Sequence, residues 1–315
     1  MAELEVWSLL SEDFRIEWPG LYEGIPDDVY HAGRNTPERA LSQSVLKALI
    51  PPSTPAHFKW QLAHGLEPRR AFDVGRAAHT MALGVGEPMV ACPADLLAIN
   101  GAMSTKASKE WAAQQRAEGR VPLPPADYEM VCRMAEALLD NPRIAEVITA
   151  PDNHPEVSGY AIEPQTGLWL RGRFDLLGGR IWDYKTTKCA EPEAFARSVW
   201  AYGYHVQDAT YRLIYELLVG ADPGPLVFMA QEKEPPYLAS TVDVSDTYSR
   251  VGRDQLLAAL DLYVACRDAG VWPGYPDEII TLDPPAWALR DVESAEESAA
   301  ASDVLAALEG ILNDQ

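Results

Sequence analysis

The chain lacks any run of about 20 consecutive apolar residues, so none of its segments reads as a membrane-spanning helix. It has four cysteines, Cys92, Cys132, Cys189 and Cys266, and no Cys-x2-Cys pair among them. That dispersal argues against a zinc site or a disulfide framework and fits thiols in a reducing cytoplasm. No segment repeats at a fixed period, which removes the solenoid and propeller classes. The opening Met-Ala-Glu-Leu-Glu lacks the positive region of a signal peptide, so a cytoplasmic location is expected. Basic residues are scarce as well. Lys and Arg number 26 against 47 Asp and Glu, for a net charge of −21 over 315 residues.

A uniformly acidic surface would repel nucleic acid, because phosphate contact needs Lys and Arg. The charge is not uniform. Residues 1–32 carry eight acids and one base, and residues 277–315 carry ten acids against Arg290 alone. Residues 33–120 reverse the balance, with eleven bases and seven acids. The basic excess thus falls in a region of expected helices, between two acidic ends.

Proline and apolar spacing set the expected organisation. Residues 1–30, interrupted by Pro19 and Pro26, read as an irregular lead. Ser42 can cap a helix that Pro51-Pro52 stops, and Pro55 can begin the next. Residues 72–84 and 104–119 read as helices; the second is basic and either lines a nucleic-acid channel or is a solvated face. Strands are expected near 156–163, 168–177 and 180–187. A short helix over 193–199 follows, then a helix from Gln207 to Val219, strands near 225–232 and 237–244, and a long helix over 246–269. This pattern is a mixed α/β core with an amino-terminal helical elaboration. The expected divisions are a lead over 1–30, a main domain over 31–283 (helical part 31–150, sheet core 151–276) and an acidic tail over 284–315.

The chemistry concentrates between Arg171 and Tyr211. Arg171-Gly172-Arg173-Phe174-Asp175 is followed by Asp183-Tyr184-Lys185 and then by Gln207 and Tyr211 one helical turn apart. Side chains alternate along a strand, so register decides whether the two acids can meet. A three-residue loop, Gly178 to Arg180, puts Asp175 opposite Asp183 and Arg173 opposite Lys185. It also aligns Phe174, Leu176, Trp182 and Tyr184 as one apolar face, which would fix that register. An Asp-x-Lys triplet alone carries little information, and Gln207 and Tyr211 have the spacing of any helix surface pair. The order strand, acid, turn, strand, acid-x-lysine, helix, glutamine-x3-tyrosine is what carries meaning.

That order resembles the PD-(D/E)XK nuclease superfamily, in its RecB-like branch, and within it the phage RecE-type exonucleases (exodeoxyribonuclease VIII). The resemblance spans about residues 28–276. It includes Leu41-Ser42-Gln43-Ser44-Val45-Leu46-Lys47, Pro55-Ala56-His57-Phe58 and Gly75-Arg76-Ala77-Ala78-His79-Thr80. It also includes the strand entry at Glu156-Val157-Ser158-Gly159 and the closing Trp272-Pro273-Gly274-Tyr275. The implied fold is a restriction-endonuclease-like core, a mixed central sheet flanked by helices.

The resemblance implies that His79, Asp175, Asp183 and the main-chain carbonyl of Tyr184 ligate magnesium or manganese, with two ions expected. Lys185 would orient or activate water and steady charge on the phosphate, and Gln207 and Tyr211 would brace the site. Glu156 is either a second-metal carboxylate or an ordinary strand acid. Arg173, Arg76, Ser42, Ser44 and Lys47 are expected to contact DNA. Carboxylates suit a hard ion that keeps several waters, and a histidine also suits manganese. No iron–sulfur cluster is expected, because Cys266 stands alone late in the chain.

By resemblance the activity is a DNA exonuclease, 5′ to 3′ on double-stranded ends, working as a ring-shaped homo-oligomer in a bacterial cell beside a RecT-type annealing protein. Two alternatives stay open: a CRISPR-associated type of single-strand nuclease, and a non-catalytic phage accessory or scaffold protein. In the tail, Val304, Leu305, Leu308, Ile311 and Leu312 make an apolar stripe at helical spacing. It is either a marginal terminal helix or a docking element. As a docking element it predicts that truncation after Pro284 reduces co-purification with an annealing protein while sparing nuclease activity.

Overall fold

The computed structural model describes residues 5–8, 14–64, 70–286 and 288–290. It begins with strands β1 (Val6–Ser8) and β2 (Gly20–Glu23), helix α1 (Asp27–Ala32) and the two-residue strand β3 (Leu41–Ser42). Helices α2 (Gln43–Leu46), α3 (Pro55–His64) and α4 (Arg70–Leu83) follow, then β4 (Met89–Ala91), α5 (Lys106–Ala117), β5 (Val121–Leu123), α6 (Pro125–Leu139) and α7 (Pro142–Thr149). The sheet core comprises β6 (His154–Ile162), β7 (Trp169–Leu177), β8 (Ile181–Thr187), α8 (Pro192–Tyr202), α9 (Tyr204–Val219), β9 (Val227–Glu232), β10 (Ala239–Asp243) and α10 (Asp246–Ala269). The chain divides into two compact units, Met1–Gly274 and Tyr275–Gln315. In the second, the amides of Ala288 and Leu289 donate to the Pro285 carbonyl. The apolar stripe expected from Val304 to Leu312 lies outside the described residues.

The main sheet has eight strands in the order β1-β2-β6-β7-β8-β9-β10, with β3 on β7. Strands β6, β7 and β8 form an antiparallel meander, β9 runs parallel to β8, and β10 returns antiparallel. The parallel step needs a crossover, which α8 and α9 supply. The sheet is mixed and helix-flanked, as expected. Among the described residues, no helix is long and apolar enough to cross a membrane.

Among the described residues two larger cores sandwich the sheet, and a smaller third gathers Ile16, Tyr22, Tyr30 and Tyr160. One packs Leu46, Phe58, Phe174, Phe195, Ile214, Phe228 and Leu256 beneath α8, α9 and α10. The other packs Ala77, Met134, Leu138, Leu176, Trp182, Tyr184 and Met229 against α4 and α6. The single apolar face drawn from the sequence therefore divides: Phe174 belongs to the first core, and Leu176, Trp182 and Tyr184 to the second. Strand alternation breaks at Asp175, between Phe174 and Leu176.

The lead also differs from its sequence reading. Gly20–Glu23 pairs with β6, and Val6–Ser8 pairs with it in turn. Pro19 and Pro26 do exclude a helix between them, but they bracket a short strand, a place where proline is tolerated. Helix α10 spans the expected residues because its signals are strong: Ser245 caps the Tyr248 amide, and Gly270 ends it at φ 69°. Helix α9 starts three residues earlier than expected, and its first turns, His205 to Tyr211, are buried on every side. Asp208 pays for its place there by accepting the Leu226 amide at 2.8 Å and the Ser249 hydroxyl at 2.8 Å.

Helix α10 crosses α9 closely at Gly252, where a Cβ would come within 2.0 Å of the His205 carbonyl oxygen. Two helix backbones cannot part there without loosening the core between them. Gly252→Ala is expected to cost about 2–3 kcal/mol, read as a lower urea midpoint with an unchanged slope.

Candidate active site

Strands β7 and β8 pair only at Leu176–Trp182 and Leu177–Ile181, across the three-residue turn Gly178–Arg180. This is the register that sets Asp175 level with Asp183. Beyond it the strands part, so Arg173 and Lys185 are not paired, contrary to the sequence expectation. Farther along β7, residues Leu170 and Arg171 pair with β3 instead. The edge of β7 between these two partners is left open. The unpaired Tyr184 amide would be costly if buried without an acceptor. The Asp175 carboxylate accepts it at 2.7 Å, in place of a backbone carbonyl.

The fork opens onto a cavity of about 550 Å³ lined by His79, Glu156, Asp175, Lys185, Gln207 and Tyr211, among others. Helix α4 delivers His79, whose Nε2 lies 3.0 Å from Asp175 and whose Nδ1 lies 3.0 Å from Glu156. Asp183 is buried, with 1% of its side chain exposed. Its Oδ1 accepts the Gln207 amide at 2.5 Å. Its Oδ2 contacts the Lys185 ammonium and accepts no well-formed hydrogen bond. Lys185 also lies over the Tyr204 ring, 5.2 Å from its centroid. Tyr211 sits close above the backbone of Gly172, where a Cβ would come within 3.0 Å of its ring.

The two aspartates are driven apart electrostatically. Burial raises both; at Asp175 the neighbouring His79, Lys185 and the Tyr184 amide reverse this and hold the carboxyl below its ordinary value. At Asp183 burial dominates, repulsion from Asp175 adds to it, and Lys185 offsets only part, leaving it at about 6. For Lys185, burial is outweighed by Asp183 and Asp175, so its ammonium is held above its usual value. For His79, burial is likewise outweighed by Asp175 and Glu156, which hold the imidazole well above its usual value. Carboxyls with divergent affinities in one cleft are a mark of acid–base or metal chemistry.

Of the residues marked as metal ligands, His79, Glu156 and Asp175 line the cavity, whereas Asp183 and Tyr184 lie buried beside it; among the described residues no three His, Cys, Asp or Glu side chains form a ready-made cage. The His79 ring lies between Glu156 and Asp175 instead. The donor set fits a hard divalent ion: carboxylate oxygens, one imidazole and a buried Asp183 oxygen whose partner is the Lys185 ammonium. Ligation would require His79 to give up its proton. The role implied for Tyr184 rests on its carbonyl; its amide serves Asp175, and its hydroxyl donates to Gln231 at 2.6 Å. Glu156 adopts φ 57° in the middle of β6, a left-handed backbone that a glutamate rarely takes.

The residues marked for DNA contact divide. Ser42, Ser44 and Lys47 line the cavity. Ser42 and Ser44 hydroxyls lie 3.0 Å apart, and Lys47 donates to the Tyr202 carbonyl at 2.7 Å. Arg173 lines it too but donates to Asp27 at 2.5 Å, Ser158 at 3.0 Å and the Ile25 carbonyl at 2.7 Å. The Arg76 side chain lies outside the described residues. Helix α5 does not line the cavity; its Lys106 pairs with Glu110. Sequence reasoning missed Asp27, Tyr30 and Tyr202. The signal for Asp27 was present in Pro26-Asp27-Asp28, a proline and two acids opening a helix.

The fold and this site define a PD-(D/E)XK protein, and the chain is a member of that superfamily. More narrowly, it belongs to the family of the PDDEXK-like domain of unknown function (DUF3799), whose model matches residues 42–283. A crystal structure from Eubacterium rectale, described as that of a candidate exonuclease, is similar with a TM-score of 0.57. The likeness covers 84% of this chain and 98% of that one at 12% identity, and is therefore one of fold. No curated protein matches the chain. Family and fold together support a nuclease.

The electrostatics predict a pH signature in the metal-free protein. Asp183 is raised from about 3.9 unfolded to about 6 folded. Its protonated form favours the fold, an advantage complete below pH ~4 and lost as pH rises through ~6. In EDTA, Asp183→Asn should therefore gain stability relative to wild type between pH 4 and pH 7, by on the order of 3 kcal/mol. Urea unfolding at both pH values checks it; a constant difference would remove the assignment.

Proposed function

We propose that this protein is a metal-dependent DNA exonuclease of the RecE type. It would act 5′ to 3′ on double-stranded ends and leave a 3′ single strand for phage-type recombination. The observation that carries the nuclease reading is the convergence of Asp175, Asp183 and Lys185 where β7 and β8 part, with His79 facing them from α4. Polarity, preference for duplex ends and the recombination role rest on the sequence resemblance.

Asp175, Asp183, His79 and the Tyr184 carbonyl would hold magnesium or manganese, with Glu156 for a second ion. When bound, the metal supplies positive charge at the phosphoryl oxygens and acidifies a water for attack. Lys185 retains its proton beside Asp183 and so serves as a fixed cation for charge developing on the phosphate. Gln207 holds Asp183 in a single orientation through Oδ1. Tyr211, buried one turn along α9, would brace the site with it. A ring-shaped homo-oligomer and an annealing-protein partner complete the proposal. Within such a ring the local field around Lys47 and Lys185 outweighs the total charge.

Linear duplex labelled separately at its 5′ and 3′ ends tests the reading, with magnesium or manganese, an EDTA control and Lys185→Ala. The expected result is early release of 5′ label as mononucleotide, absent with EDTA and in the variant. Early release of 3′ label would reverse the polarity. Cleavage confined to single strands would exclude the duplex-end preference. No metal-dependent release from any DNA would overturn the nuclease reading.

A further inference from the structure

One wall of the cleft has chemistry that the phosphate-cutting groups do not use. Helix α8 ends at Tyr202 and α9 begins at Tyr204, with Gly203 between them at φ 68° serving as the cap of both. The left-handed joint turns the chain so sharply that both tyrosines line the cavity. Their rings lie 5.7 Å apart, inclined by 33°. Tyr204 is half-buried and stacked on Phe228 at 5.5 Å, and the Lys185 ammonium lies 5.2 Å from its ring centroid. Tyr202 is different: 58% of it is exposed.

The backbone at this joint is fixed. Lys47 donates to the Tyr202 carbonyl at 2.7 Å, and Gln43 donates to the Gly203 carbonyl at 3.4 Å. A Cβ on residue 203 would come within 2.9 Å of the Lys47 side chain, so glycine also permits that close approach. The result is a large flat ring on a rigid mount, wet on one side, one ring removed from Lys185. A lysine sits behind it. Of the four carboxylates that line the cavity among the described residues, Asp27, Glu156 and Asp175 are engaged with Arg173 and His79, and Glu87 is the fourth.

We infer that Tyr202 is a stacking platform for an unpaired nucleobase of the strand being cut. The inference rests on the nuclease reading and narrows its substrate: the nucleotide at the site must be unpaired, so a duplex end has to fray before it is cut. Within a duplex both faces of a base are covered, and at an end only the outer face of the last pair is open; an unpaired base is free to turn a face onto an aromatic ring, and every base has one. Lys47 and Lys185 provide the positive charge that follows the backbone past the ring. Tyr202 is thus a substrate-positioning residue and takes no part in bond breaking.

The experiment uses the full chain and single-stranded oligonucleotides, either intact or carrying one abasic position scanned along the terminal nucleotides. Binding is read by fluorescence anisotropy in EDTA, and cleavage by KM and kcat with magnesium or manganese. Stacking on one base is expected to strengthen binding about tenfold. In the wild type, one abasic position should weaken binding and raise KM by about that factor. Tyr202→Ala should weaken binding of intact strands similarly and be insensitive to the abasic position. Tyr202→Trp should restore the discrimination, which a merely structural tyrosine would not do.

An abasic penalty equally large in Tyr202→Ala, or no loss of binding in that variant, overturns the platform. The two readings fail separately. Metal-dependent cleavage with an indifferent Tyr202 removes the platform alone. Ring-dependent binding without cleavage by the wild type removes the nuclease reading and keeps the platform.

Discussion

The parting of β7 and β8 governs the rest of this site. Two rungs of pairing set Asp175 level with Asp183, and the divergence then opens the edge of β7 toward the cavity. A backbone amide left open by such a fork needs an acceptor. Asp175 supplies it, so one carboxylate both stabilises the opening and faces into it. β3 holds the far part of the same edge, which keeps the fork from closing or unravelling. The two cores on either side of the sheet reflect the same break, with Phe174 packed on one side and Leu176 on the other.

Around that opening, the elements contribute by layer. Helix α4 lies on one face and brings His79 to Asp175. Helix α9 lies on the other and brings Gln207 to Asp183. Each aspartate is therefore oriented by a different helix, and the pair ends with opposite proton affinities although the two stand side by side. Glycine makes the close approach possible. Without a side chain at Gly172, the Tyr211 ring comes down onto β7, and without one at Gly252, α10 presses against the start of α9. The site is held from beneath as firmly as from its flanks.

Much of this was legible in the chain. The three-residue turn was read from the apolar pattern around it, and its register holds although Phe174 packs apart from Leu176, Trp182 and Tyr184; helix α10 follows from Ser245 and Gly270, because caps are local chemistry. The acid, acid-x-lysine and glutamine-x3-tyrosine order located the cleft residues for the same reason. What was not legible depends on contacts distant in sequence. The break in alternation at Asp175 is imposed by two cores competing for adjacent residues, which no period-2 pattern encodes. The pairing of Gly20–Glu23 with β6 depends on a partner more than a hundred residues away. Pro26-Asp27-Asp28 marked a helix start, but the pairing of Asp27 with Arg173 depends on the same kind of distant contact. Helix α9 was misjudged at its start because a helix buried all round has no apolar stripe to read.

Glu156 shows what such a site demands of its scaffold. At φ 57° in the middle of a strand, glycine would be at ease and glutamate is strained by about 1 kcal/mol or more. The backbone there is thus a loaded spring, held by the ladder on either side of it and by His79 at the tip of its side chain. If ligand binding drew His79 away, one of the restraints on that spring would go with it. The β6 strand would then be the part of the sheet most ready to change shape, and a local rearrangement could begin from this single residue while the two cores stayed as they are.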